Sequence, residues 1–118
     1  MRLLLAPIVL GLSGCSHTLD VYLTGRASGV TAHTEVVTIS NEPGGAVSLI
    51  LKGKKYTGRW VYMSGDPFAP PGAGTGTMNL TAPDGSSLHC VFQFSEWSQS
   101  GVGVCQGSDG EIYDVQIS

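Results

Sequence analysis

The chain has 118 residues, 6 Lys+Arg against 9 Asp+Glu and a formal net charge of −3, a length that fits one domain. With 42% apolar and 13% charged residues it is too apolar to stay disordered, and its few scattered cations lack the clustering that phosphate neutralisation needs, which excludes a nucleic-acid partner. Its 17 Gly and 6 Pro disfavour long helices and favour strands joined by tight turns.

The chain opens on Met1-Arg2, a short positive start, followed by an apolar run from Leu3 to Leu12 broken only by Pro7 and Gly11. About ten apolar residues are too few to span a bilayer, for which roughly 20 are needed, but they suit the apolar part of a secretory leader. The run ends in Leu12-Ser13-Gly14-Cys15, which resembles the lipobox of bacterial lipoproteins. In that family the cysteine is lipidated and becomes the mature N-terminus. The resemblance implies that residues 1–14 are a signal peptide and that Cys15 carries the acyl anchor; residues 15–18 then read as a tether and residues 19–118 as a single β domain. Ser16, not Asp, follows the cysteine. That is similar to lipoproteins sent to the outer membrane, so the implied location is the bacterial cell envelope, facing the periplasm. Several acyl chains at about 0.8 kcal/mol per buried methylene hold firmly where one would not.

With Cys15 acylated, Cys90 and Cys105 remain, and an oxidising compartment lets them pair. They do not form Cys-x-x-Cys and no second Cys/His pair stands nearby, so a zinc site is not expected.

The mature chain reads as strands. Leu19 to Leu23 and His33 to Ile39 flank a turn at Arg26-Ala27-Ser28-Gly29. Lys52-Gly53-Lys54-Lys55 fits a type II′ turn with Gly53 at its first central position, which would pair Leu51 with Tyr56, Leu49 with Gly58 and Val47 with Trp60. A loop over Ala82 to Ser86 would pair Leu80 with Leu88, Met78 with Cys90, Gly76 with Phe92 and Gly74 with Phe94. Setting Cys90 opposite Cys105 places Phe92 over Gly103 and Phe94 over Gly101, around a hairpin tip at Glu96-Trp97-Ser98-Gln99. A phenylalanine over a glycine supplies side-chain cover that glycine lacks. The three-residue loop Ser108-Asp109-Gly110, with Gly110 left-handed, then pairs Cys105 with Tyr113 and Gly103 with Val115. A two-residue turn would shift the register by one and break the apolar face. The expectation is an all-β antiparallel meander of about eight strands, closed as a small barrel to remove exposed edges, with a β-sandwich as the alternative.

No catalytic set converges in this pattern. His17 falls in the tether, His89 has the parity opposite to Cys90 and Phe92, and His33 has no acid to pair with. Asp84 and Asp109 precede Gly85 and Gly110 and are explained as turn residues. Glu111 and Asp114 lie on the last strand, off the core face or near the turn. Gly72-Ala73-Gly74-Thr75-Gly76 opens a strand and has no following Lys, so it does not read as a phosphate loop. Gly-x-Ser-x-Gly is absent. The sequence is read as a non-enzyme with no metal and no cofactor.

Two aromatics stand out as candidate partner-binding residues: Phe68, in a Pro/Gly loop from Ser64 to Ala73, and Trp97, at the hairpin tip. Exposed aromatics are common anchors for partners; the other reading is that both rings fold back over an open barrel end. The chain looks like small proteobacterial envelope lipoproteins that join a lipobox to a compact Gly-rich β domain, which implies a membrane-anchored binding module for an envelope component. Ser98-Gln99-Ser100-Gly101 resembles the Ser-Ala-Ser-Gly loop of the membrane-bound inhibitors of c-type lysozyme, and inhibition of a periplasmic enzyme is the alternative that follows. A third possibility is a small apolar ligand inside the barrel, although the inward Leu, Val, Phe, Tyr and Trp are expected to fill the interior.

Overall fold

The computed structural model describes residues 16–39, 42–64 and 72–118. They form eight strands: β1 (Ser16–Gly25), β2 (Thr31–Ile39), β3 (Gly44–Leu51), β4 (Lys54–Ser64), β5 (Ala73–Thr81), β6 (Ser87–Ser95), β7 (Ser100–Gly107) and β8 (Ile112–Ile117). All pairings are antiparallel, in the order β2-β1-β8-β7-β6-β5-β4-β3. The sheet curls until β2 faces β3, giving the expected barrel in nearly closed form. Among the described residues no backbone ladder joins those two strands. The Thr34 hydroxyl, donating to the Ser48 carbonyl at 2.5 Å, bridges the seam.

Period-two alternation drives this curvature. Leu19, Val21 and Leu23 of β1 face the core, as do Leu88, Cys90 and Phe92 of β6, while Tyr22, His89 and Val91 face outward. The inside is apolar, whereas the outside carries Asp20, Glu35, Lys55, Arg59 and Asp114. That arrangement is the reverse of a barrel that spans a membrane with its strands.

The register around β6 is the expected one. Cys90 stands opposite Cys105 and is joined to it by a disulfide. Phe92 lies between Gly76 and Gly103, and Phe94 between Gly74 and Gly101. Cys105 pairs with Tyr113 and Gly103 with Val115, and Gly110 is left-handed at φ 90°.

Two expectations at the other strands are corrected. The β3–β4 turn is centred on Lys52 and Gly53, with φ of 54° and 76°, which is the type I′ form and not II′. Leu51 therefore pairs with Lys54, Leu49 with Tyr56, Val47 with Gly58 and Gly45 with Trp60. The shift is two residues, so the inward face survives. Its physical reason is the indole: a Cβ at Gly45 would lie 3.0 Å from Trp60 Nε1, and a valine opposite Trp60 would have no room. The second correction concerns residues 16–18, which are the first three of β1, paired with residues 37–39 of β2, and not a tether.

One barrel end is sealed. Leu23, Leu51, Leu80, Leu88 and Tyr113 pack there at 2% exposure or less. Above them Lys52 Nζ reaches Glu111 Oε1 at 2.6 Å and Asp109 Oδ2 at 3.5 Å, Lys54 pairs with Asp84 at 2.8 Å, and Arg26 with Asp114 at 2.8 Å. Glu111 also accepts from the Ser28 hydroxyl. The Lys52 ammonium first, and Ser28 next, hold the Glu111 carboxyl down at about 2, against an ordinary 4.5. A depressed acid stabilises the fold above its unfolded pKa, and that contribution fades as pH falls through the folded value. The melting-temperature gap between wild type and Glu111→Gln is therefore expected to be widest above pH 5 and to close between pH 4.5 and 2. Thermal melts across that window measure it; a constant gap would deny the ion pair its role.

Candidate functional site

Among the described residues the opposite end is open. It gathers the start of β1, the end of β2 and start of β3, the end of β4 and start of β5, the β6–β7 tip and the end of β8. A cavity of about 710 Å³ lies there. Trp60, Tyr62, Phe92 and Phe94 form its aromatic wall; Val21, Val36 and Met78 line its apolar interior; His17, Glu42, Glu96, Trp97 and Gln99 stand around its rim.

The rings do not fill the lumen as expected, because they lie along the wall. The inward positions beneath them are glycines. A Cβ at Gly76 would come within 2.6 Å of Phe92 Cε1, and one at Gly74 within 2.7 Å of Tyr62 Oη. With no side chain to lift it, each ring rests on the backbone of the neighbouring strand and leaves the axis free.

Polar chemistry at the site is sparse and specific. Tyr62 Oη donates over 3.3 Å to Glu96 Oε2 and 3.4 Å to the Phe94 carbonyl, and its ring meets Phe94 edge-on at 5.8 Å. Burial first, then the Glu96 charge, push the Tyr62 hydroxyl up to about 12, so it stays a neutral donor. Trp60 is 7% exposed, and its Nε1 is the one buried side-chain polar atom among the described residues with no hydrogen-bond partner. Buried donors are rarely left so, at a cost of about 1–3 kcal/mol.

Trp97 is at the β6–β7 tip, as expected. It is 76% exposed, yet its indole packs on Gly72, where a Cβ would lie 2.7 Å from Cδ1. The tip is fastened by the Glu96 N–H donating to the Gly72 carbonyl at 2.7 Å and by Gln99 Nε2 donating to the Glu96 carbonyl at 2.6 Å. Ser98 and Ser100 share a hydrogen bond of 2.8 Å between their hydroxyls. Phe68 and Cys15 lie outside the described residues. Cys15 is nevertheless one peptide bond from Ser16, the first residue of β1 at this rim.

Of the remaining titratable residues singled out from the sequence, all but His17 fall elsewhere. His17 lines the rim and is not a tether residue. His33 does have an acid: its Nε2 lies 2.9 Å from Asp20 Oδ1, with the ring stacked on Tyr22 at 4.6 Å. His89 points outward as expected, against Asn79 Oδ1 at 2.5 Å. Asp84 and Asp109 cap their turns through the Ser86 and Glu111 amides, as turn chemistry expects. On the outer wall near the open end, Val61 and Met63 of β4, Val91 of β6 and Val102 of β7 form an exposed apolar patch.

The cavity is the feature that sequence reasoning missed. Its signal was present in the Phe–Gly pairings, which place a large ring over no side chain on two neighbouring strands at once. Fold and site together define an eight-stranded antiparallel barrel with one sealed end and one aromatic-walled, open end. The chain matches no protein-family model, no curated protein and no solved structure.

Proposed function

We propose that the protein is a non-enzymatic, lipid-anchored envelope protein whose barrel binds one small apolar molecule through its open end. The observation that carries this reading is the cavity of about 710 Å³ with its aromatic wall. Sites for small molecules occupy roughly 300–1,000 Å³ and are mostly apolar with a few fixed polar groups, and eight strands leave room for one such guest. Trp60 Nε1 supports it further, as a buried donor with no acceptor among the described residues. The lipobox-like Leu12-Ser13-Gly14-Cys15 supports the anchor, which would emerge beside the same opening.

The test uses N-phenyl-1-naphthylamine, an uncharged fluorophore, titrated into residues 16–118, which hold all eight strands and the disulfide. Saturable one-to-one binding is expected, weakened at least tenfold by Thr38→Phe, which plugs the rim from a half-buried cavity position. Non-saturable uptake, or binding indifferent to the plug, would overturn the reading. In the full chain Cys15→Ala is expected to move the protein out of the membrane fraction. A second reading, a protein partner held at the rim, draws on the exposure of Trp97.

A further inference from the structure

We infer that the molecule taken into the cavity is an acyl chain of a bilayer lipid with no net charge, drawn in where the open end rests on the membrane. The inference rests on the reading of the cavity as an apolar-ligand site and names its ligand.

Three independent features point the open end at a lipid surface. The first is attachment. β1 starts at Ser16 on this rim, and His17 and Leu19 line the cavity, so the residue bonded directly to the lipobox-like Cys15 belongs to this end. The second is apolar exposure concentrated at this end and its flank, with Ile50 at the sealed end the main exception. Trp97 at 76% and Met63 at 70% are the most exposed large apolar side chains among the described residues, and Val37, Ile39 and Val102 accompany them. Tryptophan with one free face suits the boundary between headgroups and acyl chains.

The third is charge, and it selects the lipid. The described cations Arg26, Lys52, Lys54 and Lys55 are at the sealed end and Arg59 is midway along β4. The rim carries Glu42 and Glu96. Such a rim repels anionic headgroups and free fatty-acid carboxylates and tolerates uncharged or zwitterionic lipids. Inside, the acyl chain meets Val21, Val36, Met78, Phe92 and the Trp60 ring. Trp60 sits opposite Gly45, the second residue of β3, close below the rim.

The experiment reads Trp60 alone. The chain has 2 Trp, so Trp97→Phe leaves Trp60 as the single indole. The full chain is reconstituted in phosphatidylcholine vesicles with chains brominated at mid-length, or left unbrominated, because bromine quenches indole only at close range. At least a twofold loss of Trp60 emission is expected in brominated vesicles. It should vanish when Thr38→Phe is added, and brominated phosphatidylglycerol at equal mole fraction should quench less. Three results would overturn the inference: unquenched Trp60, quenching that survives the plug, or equal quenching by the anionic lipid. If the fluorophore binds residues 16–118 while Trp60 stays unquenched, the acyl ligand fails and the apolar cavity reading stands. If neither binds, both fail.

Discussion

Replacing Cys90 and Cys105 together by alanine is expected to lower the stability of residues 16–118 by about 3 kcal/mol, a urea midpoint roughly 1–3 M lower. The two cysteines are 15 residues apart, directly opposite on β6 and β7, and fully buried. In the chain-entropy picture the bridge acts mainly on the unfolded chain, by closing that loop in advance. Native alternation on β6 and β7 does not depend on it, so the folded register should persist. Equilibrium urea unfolding followed by Trp emission checks this, with the slope against urea compared as well. A loss under 1 kcal/mol would mean that the unfolded hairpin is already closed by residual order.

Gly76→Ala is expected to cost a similar amount, about 3 kcal/mol, for a different reason. The added methyl would sit 2.5 Å from the Val61 carbonyl oxygen and 2.6 Å from Phe92 Cε1. The ring could swing into the lumen, but the carbonyl belongs to a paired strand and cannot yield cheaply. Gly85→Ala serves as the contrast: its φ of +91° is strained for alanine, yet the methyl would meet open space, and about 1 kcal/mol is expected. Adding Phe92→Leu to Gly76→Ala should recover part of the loss, a coupling that a double-mutant cycle measures. Gly76→Ala should also weaken binding of the uncharged fluorophore, because the displaced ring occupies the guest's space. Equal costs at Gly76 and Gly85 would show that backbone strain, and not the ring resting on its glycine, sets the penalty.

Much of the fold is legible in the chain because strand parity leaves little freedom. Once Cys90 faces Cys105, each neighbour from Leu80 to Val115 follows by counting, and a slip of one residue would expose a whole face. The error at Lys52-Gly53 has the opposite cause. The II′ and I′ registers differ by two residues, so both keep Val47, Leu49 and Leu51 inward, and the parity argument cannot separate them; the bulk of Trp60 does. The pairing of β1 with β8 joins residues about a chain length apart, and no local pattern encodes it. His33 reaching Asp20 depends on the β1–β2 register, which the Arg26 to Gly29 turn alone does not set. The cavity escaped because composition reports how much apolar volume faces inward, whereas side-chain torsions decide whether a ring lies on the wall or stands in the lumen.

The seam between β2 and β3 gives the barrel a mechanical character. Its hoop consists of seven backbone ladders and one joint held by side chains and the Thr34–Ser48 bond, so it behaves as a split ring and not a rigid hoop. Spreading that joint would break one side-chain hydrogen bond among the described residues and leave every ladder intact. Val36 and Thr38 of β2 and Trp60 beside β3 line both the cavity and the margins of the split, so the diameter of the lumen and the gap in its wall change together.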